Sequence, residues 1–321
     1  MNLDAQTAAL LQQLGLQPDP PQVGMMEIGV QAAREGSRAV FHAYAGDVPA
    51  GCHAEDVRLP GAEQPIPARL YRPAAAAWPP SSMVVFLHGG GWSMGDLECY
   101  DFFMRDLCVR SGASMLSVEY RLAPEHKYPA QIDDGLAAVR WAASLTRSHA
   151  GDAARIAVMG DSAGGNLATV IARRLHVERR IRLAGQLLLY PMLDVSRPHA
   201  DYPSRMRYGD GEYLLTRESI DTAATWYLDG IGRRDDPDVS PLLVESLSIL
   251  PPTVIVIGGH DPLLDEARLY AERLDAAGVD TRFKCFATAI HAFLSFGVLD
   301  VAREGRAYLA GEIRRLLEIE L

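Results

Sequence analysis

Gly160-Asp161-Ser162-Ala163-Gly164 stands between an apolar run, Arg155–Met159, that reads as a strand and a stretch, Ala163–His176, that reads as a helix. A serine flanked by glycines at a strand-to-helix junction predicts a sharp turn that lifts Ser162 clear of a sheet. Gly160 and Gly164 omit the Cβ atoms that would obstruct such a turn, and Gly165 adds clearance. The turn also sets Ser162 at a helix N-terminus, where unpaired N–H groups and the helix dipole favour negative charge. An ordinary glycine-rich turn with a capping serine would use the same residues, so the reading needs a second motif.

That motif is His88-Gly89-Gly90-Gly91-Trp92, directly after the apolar run Met83–Leu87. Three consecutive glycines let the backbone turn its N–H groups toward one point, as an oxyanion hole requires. The expected donors are Gly90, Gly91 and Ala163. A phosphate-binding loop is the competing reading, but neither the G-x-x-x-x-G-K-[ST] nor the G-x-G-x-x-G spacing is present. His88 precedes the serine and is expected to brace the loop. Trp92, beside the donors, is a candidate for the substrate cleft or for the core.

Outward from these motifs the order of strand and helix repeats. Met83–Leu87, Ala113–Glu119, Arg155–Met159, Gly185–Leu189, Thr253–Ile257 and Arg282–Phe286 are strand-like. Cys99–Arg110, Ile132–Leu145, Ala163–His176, Leu264–Ala277 and Val298–Leu317 are helix-like. This alternation requires crossover connections, and therefore an α/β fold with a mostly parallel central sheet and helices on both faces. Two polar strand signals, His53–Leu59 and Pro67–Arg72, are expected as antiparallel edge strands. The order breaks between Val195 and Leu250, where only Glu218–Leu228 reads as a helix. Residues 51–194 and 251–321 are thus expected to form the core. Residues 195–250 form a cap or lid insertion, joined by an N-terminal cap segment, 1–50, whose helix signal covers residues 3–15 and ends at Pro18, Pro20 and Pro21.

A serine hydroxyl needs a base within hydrogen-bond reach, and the base needs an orienting carboxylate. In the strand-turn-helix context the order is Ser, then Asp, then His. His199 lies in the expected lid, where a solvated surface position is the reading, and His260 adjoins the acid candidate too closely for useful geometry. His291, after the last strand signal, is the base. Asp261 follows the strand Thr253–Ile257 and the Gly258-Gly259 turn and is the first candidate acid; Asp194, in Tyr190-Pro191-Met192-Leu193-Asp194, competes with it. Leu214, in the expected lid, is a candidate for contact with substrate.

The 321-residue chain is 48% hydrophobic and 22% charged, enough for a large core in one cooperative unit. With 31 basic and 41 acidic side chains its formal charge is −10, which argues against nucleic acid as a partner. Cys52, Cys99, Cys108 and Cys285 lack metal-ligand spacing and are expected to be free thiols, with no metal site. No secretory leader is visible and no run of about 18 apolar residues occurs, so the expectation is a cytoplasmic protein without a membrane span. The exposed last strand is a candidate homodimer contact.

With Tyr120-Arg121-Leu122-Ala123-Pro124-Glu125, Tyr190-Pro191 and Asp261-Pro262-Leu263-x-Asp265-Glu266 added to the two glycine motifs, most of the chain resembles the hormone-sensitive-lipase-like esterases. The likeness is to the branch with aspartate before the serine. It implies the α/β-hydrolase fold with a helical cap, and a Ser162–Asp261–His291 triad. It also implies an oxyanion hole from the glycine motif and Ala163, and short- to medium-chain acyl esters as substrates. Ester and water are the only small-molecule partners this chemistry needs, with no cofactor. Ala292 departs from the family's usual glycine after the histidine. Tyr120–Glu125 is expected to brace the site through an Arg121–Glu125 charge pair. An amidase or acyltransferase would use the same groups, a non-catalytic ligand-binding protein could share the scaffold, and a triglyceride lipase would want an extended apolar lid that the sequence lacks.

Overall fold

The computed structural model describes residues 2–16, 23–76, 79–147, 155–179, 181–230 and 233–320; the prolines expected to end the first helix lie outside them. One eight-stranded sheet forms from β1 (Cys52–Leu59), β2 (Ile66–Pro73), β3 (Ser82–Leu87), β4 (Ser114–Val118), β5 (Arg155–Asp161), β6 (Gly185–Leu189), β7 (Thr253–His260) and β8 (Thr281–Ile290). Its order is β1-β2-β4-β3-β5-β6-β7-β8. Pairing is antiparallel for β1–β2 and β2–β4 and parallel elsewhere. The central strands are apolar on both faces because both are covered: Met83 to Leu87 in β3 are all 0% exposed.

The helices are α1 (Ala5–Gln13), α2 (Met25–Tyr44), α3 (Leu97–Ser111), α4 (Ala130–Arg147), α5 (Ala163–Glu178), α6 (Pro203–Tyr208), α7 (Arg217–Tyr227), α8 (Leu264–Ala276) and α9 (Asp300–Leu317). Helix α3 packs with α9, α4 with α5, and α2 with α7 and α3. No described helix is long and apolar enough to cross a membrane.

Three expectations need correction. The N-terminal segment carries a second helix, α2, besides the one expected over residues 3–15. The only fully buried side chain of α2 is Ala33 and the helix kinks at Gly29 (φ 79°); its apolar side, with Met25, Ile28, Val40 and Phe41, faces a cavity instead of the closed core. Second, β2 is interior, bonded to β1 and β4, and the sheet's edges are β1 and β8. The polar residues that suggested an edge are served by ion pairs, as where Arg69 of β2 meets Asp56, Glu98 and Asp101. Third, Arg121 and Glu125 do not pair. Arg121 bonds Asp134 at 2.9 Å and Glu63 at 2.5 Å, and Glu125 receives Arg34. The short α6, begun by Pro203, was also unforeseen, six residues being too few to display a period.

Parallel pairing has one consequence for the site. His88, Ser162, Asp261 and His291 are each the first residue beyond a strand, β3, β5, β7 and β8 respectively, so four distant segments deliver side chains to one edge of the sheet.

Candidate active site

Ser162 joins β5 to α5 with φ 52° and ψ −117°. The turn depends on its glycines: a Cβ on Gly160 would lie 2.1 Å from the Gly164 carbonyl oxygen, and one on Gly164 would lie 1.9 Å from that of Leu87. The strained residue is held by its own backbone. Its N–H donates to Leu189 O at 2.8 Å, and its carbonyl accepts from Asn166 N and Met192 N, both at 3.1 Å.

His291 Nε2 lies 3.1 Å from Ser162 Oγ, and Nδ1 lies 2.9 Å from Asp261 Oδ2. A carboxylate can only accept, so the proton belongs on Nδ1 and Nε2 is left to accept from the serine hydroxyl. Asp261 is fully buried and also accepts from Leu263 N at 2.8 Å. The ring of Tyr190 meets His291 edge-on, with centroids 5.0 Å apart. Ala292 holds a left-handed φ of 59°, the conformation that glycine adopts most readily at this position.

Asp194 is occupied elsewhere. Its oxygens accept from Ser196 N at 2.7 Å, Ser196 Oγ at 2.6 Å and Tyr202 OH at 2.5 Å. Burial works to raise its pKa, but these bonds outweigh it and hold the carboxyl below its ordinary value. His199 is partly buried against Asp221, at 3.1 Å, rather than freely solvated. His260 stacks beneath Tyr213 at 5.4 Å.

Gly90 and Gly91 take φ values of 109° and 59° and line a cavity of about 620 Å³ together with Ser162 and His291. Ala163 opens α5, so its N–H belongs to the first helical turn, which has no intrahelical acceptor. His88 is fully buried and stacks on Tyr120 with centroids 4.3 Å apart. It donates from Nδ1 to Gly89 O at 2.9 Å, and burial pushes its pKa down to about 4. It is therefore a neutral brace at ordinary pH.

Asp161 is the feature that sequence reasoning missed. Its Oδ1 accepts from Gly89 N at 2.6 Å and its Oδ2 from Tyr100 OH at 3.0 Å, tying the serine turn to the glycine loop. Burial raises its pKa to about 7 against the bonds from Tyr100 and Gly89. An aspartate inside an otherwise small-residue turn was the available signal, since an acid there must find donors.

The cavity walls come mainly from outside the sheet: Ile28 and Phe41 of α2, Leu214 and Leu215 of the following loop, and Ile220 of α7 are among its lining. Leu214 thus lies where contact with substrate was expected. Trp92 does not. It is 0% exposed, is not among the lining residues, and stacks flat on Tyr227, with centroids 4.4 Å apart and planes at 6°. Its indole wedges α7 behind the glycine loop. All four cysteines are free, and no group of His, Cys, Asp and Glu among the described residues is arranged to hold a metal.

A fold of parallel strands with a strained serine turn, a histidine and a buried aspartate at one sheet edge is that of the α/β hydrolases, and that family's model, described as alpha/beta hydrolase fold, matches residues 84–295. The chain belongs to this family, in its hormone-sensitive-lipase-like branch. Among its relatives is the carboxylic ester hydrolase LipN of Mycobacterium tuberculosis, 40% identical over 278 residues, which cover 83% of this chain and 70% of that protein. The ethyl acetate hydrolase of Pseudomonas putida is 36% identical over 249 residues, 75% of each chain. A hyperthermophilic esterase from the archaeon Pyrobaculum calidifontis superposes with a TM-score of 0.87 at 33% identity, covering 98% of this chain and 99% of its own.

Proposed function

We propose that this carboxylic ester hydrolase works through an acyl-enzyme on Ser162. His291 Nε2 takes the hydroxyl proton as Oγ attacks the ester carbonyl carbon, and Asp261 stabilises the imidazolium that forms. The tetrahedral oxyanion accepts from the N–H groups of Gly90, Gly91 and Ala163. As the intermediate collapses, the C–O bond to the alcohol breaks and His291 returns its proton to the leaving oxygen. Water then enters, gives a proton to His291 and attacks the acyl carbon. The acid leaves and Ser162 recovers its proton. The observation that carries this reading is the pair of contacts made by His291, 3.1 Å to Ser162 Oγ and 2.9 Å to Asp261 Oδ2.

The walls support a class of substrate. A cavity of about 620 Å³ lined by Ile28, Phe41, Leu214 and Ile220 suits an uncharged ester with a short- to medium-chain acyl group. Residues 1–50 and 195–250 act as the cap in this reading and set chain length, and the open edge at β8 is the proposed homodimer contact. The test is turnover of p-nitrophenyl esters from acetate to palmitate by wild type and Ser162→Ala. Wild type should favour the shorter half of the series, and the variant should fall to background. Undiminished turnover in Ser162→Ala would overturn the mechanism, and a preference for palmitate would overturn the substrate class.

A further inference from the structure

The glycine loop presents a mechanical problem. Gly90 and Gly91 hold left-handed torsions that nothing in their own side chains enforces, and glycine loses more conformational freedom on ordering than any other residue. Donors aimed at a developing charge need fixed positions, so something outside the loop must hold it. From the sheet side Asp161 grips Gly89. From the other side the grip belongs to a residue of α2.

We propose that Arg34 is a positioning residue for the oxyanion loop, so that the helix which walls the cavity also sets the turn that carries Gly90 and Gly91. This rests on the acyl-enzyme reading above. Arg34 Nε donates to Ser93 O at 2.8 Å, and Nη2 donates to Ala123 O at 3.0 Å. Its Nη1 and Nη2 make a two-pronged pair with Glu125 at 2.9 and 2.7 Å. Ser93 and Ala123 are 1% and 0% exposed, so the two carbonyls sit where water cannot readily replace the guanidinium.

The residues that carry these carbonyls are themselves hydrogen-bonded to the loop through their N–H groups. Ser93 N and Met94 N donate to Gly90 O at 3.1 and 2.9 Å, and Ala123 N donates to Trp92 O at 2.9 Å. Arg34 therefore closes a short circuit that runs from Gly90 through Ser93 and Ala123 to Trp92. The planar fork of arginine can serve two carbonyls and a carboxylate at once, whereas an ammonium group is a single point of charge. Glu125, which sequence analysis had paired with Arg121, holds the fork in register.

Other contacts hold α2 itself. Glu218 accepts from Met25 N and Met26 N at 3.1 and 3.2 Å, and Arg38 pairs with Asp96 at 2.5 Å. Removing Arg34 should thus leave the helix docked while the loop relaxes, which separates a role in the loop from a role in holding the wall.

The experiment measures kcat and KM for p-nitrophenyl acetate and p-nitrophenyl hexanoate in wild type, Arg34→Gln, Arg34→Lys, Glu125→Gln and Arg38→Gln. Circular dichroism confirms folding. A two-carbon acyl group offers less apolar surface to the cavity walls than a six-carbon one, so a lost wall contact should weigh mainly on hexanoate, whereas an effect through the oxyanion loop should appear on both esters. In Arg34→Gln kcat should fall about tenfold on both with KM within about twofold, short of the roughly 10²–10³-fold cost of deleting a donor. Arg34→Lys should not rescue it, Glu125→Gln should show a smaller fall shared by both esters, and Arg38→Gln should match wild type. A folded Arg34→Gln with wild-type kcat on acetate, or a loss confined to KM for hexanoate, overturns the proposal. If Arg34→Gln does not fold, Glu125→Gln decides by the same comparison: an equal loss of kcat on both esters supports the clamp, and wild-type kcat on both overturns it. Failure of the underlying mechanism looks different, because Ser162→Ala would then retain activity.

Discussion

Replacing Asp161 by asparagine tests the electrostatics of the serine turn. The carboxyl is buried, and burial lifts its pKa from the ordinary 3.8 to about 7 against the bonds from Tyr100 and Gly89. The folded chain therefore binds the proton more tightly than the unfolded chain. Its contribution to stability is fully present below pH 3.8, declines as pH rises, and is lost once pH passes about 7. The separation between 3.8 and about 7 corresponds to about 4 kcal/mol at about 1.4 kcal/mol per pH unit. Asparagine keeps the shape: its oxygen can accept from Gly89 N, and its amide can donate to the Tyr100 oxygen, which then acts as acceptor. Asp161→Asn should match wild type near pH 4 and gain up to about 4 kcal/mol at pH 8, with the difference growing between those limits. Urea melts of both proteins at pH 4, 5.5, 7 and 8 read it directly. A difference that is flat with pH, or an asparagine variant less stable than wild type at pH 8 alone, would refute the account of Asp161 as a buried carboxyl held against its charge.

Gly91→Ala should lower kcat by about 10²-fold and also cost about 1–3 kcal/mol of stability, since a Cβ there meets that of Ala223 at 2.7 Å on a backbone with φ 59°; steady-state kinetics and a melting temperature that match wild type would refute it. Asp261→Asn should lower kcat by roughly 10⁴-fold, while Asp194→Asn, whose carboxyl serves Ser196 and Tyr202, should stay within about tenfold of wild type; similar losses in the two would reopen the choice of acid. Arg205 and Glu266 form an ion pair with both side chains nearly inaccessible, so Arg205→Met should cost about 3–5 kcal/mol, with part recovered in Arg205→Met/Glu266→Leu. Denaturant melts check this, and a double variant no better than the single one would contradict it.

The core was legible because its strands are apolar on both faces. β3, β5, β6 and β7 appear as uninterrupted runs, and the glycine pattern around Ser162 has a steric cause that any such turn shares. What the sequence concealed is what does not face the core. Helix α2 turns its apolar side toward a cavity, with Gly29, Gly36 and Ser37 interrupting the stripe. The sequence leaves Trp92 open between the cleft and the core, because side-chain direction is set by its backbone, φ 57°, and the ring goes to Tyr227. Arg121 and Glu125 are four apart and of opposite sign, a spacing that brings side chains together on a helix; in this turn Arg121 pairs with Asp134 and Glu63, and Glu125 with Arg34. Asp261 and Asp194 both follow strands, and only the three-dimensional separation of β6 from β8 by β7 distinguishes them.

The strained conformation at Ser162 is held through main-chain bonds to Leu189, Asn166 and Met192, none of which involves the hydroxyl. An alanine at this position inherits the same scaffold, with the neighbouring Asp261–His291 contact and the surrounding cavity undisturbed. If Ser162 is the nucleophile as proposed, Ser162→Ala has a use beyond the loss of turnover. On that mechanism it keeps the binding pocket without the nucleophile, so an ester that it captures from a metabolite extract should stay uncleaved. Mass spectrometry of what it carries would turn an inactive variant into a means of identifying the compound the active one consumes.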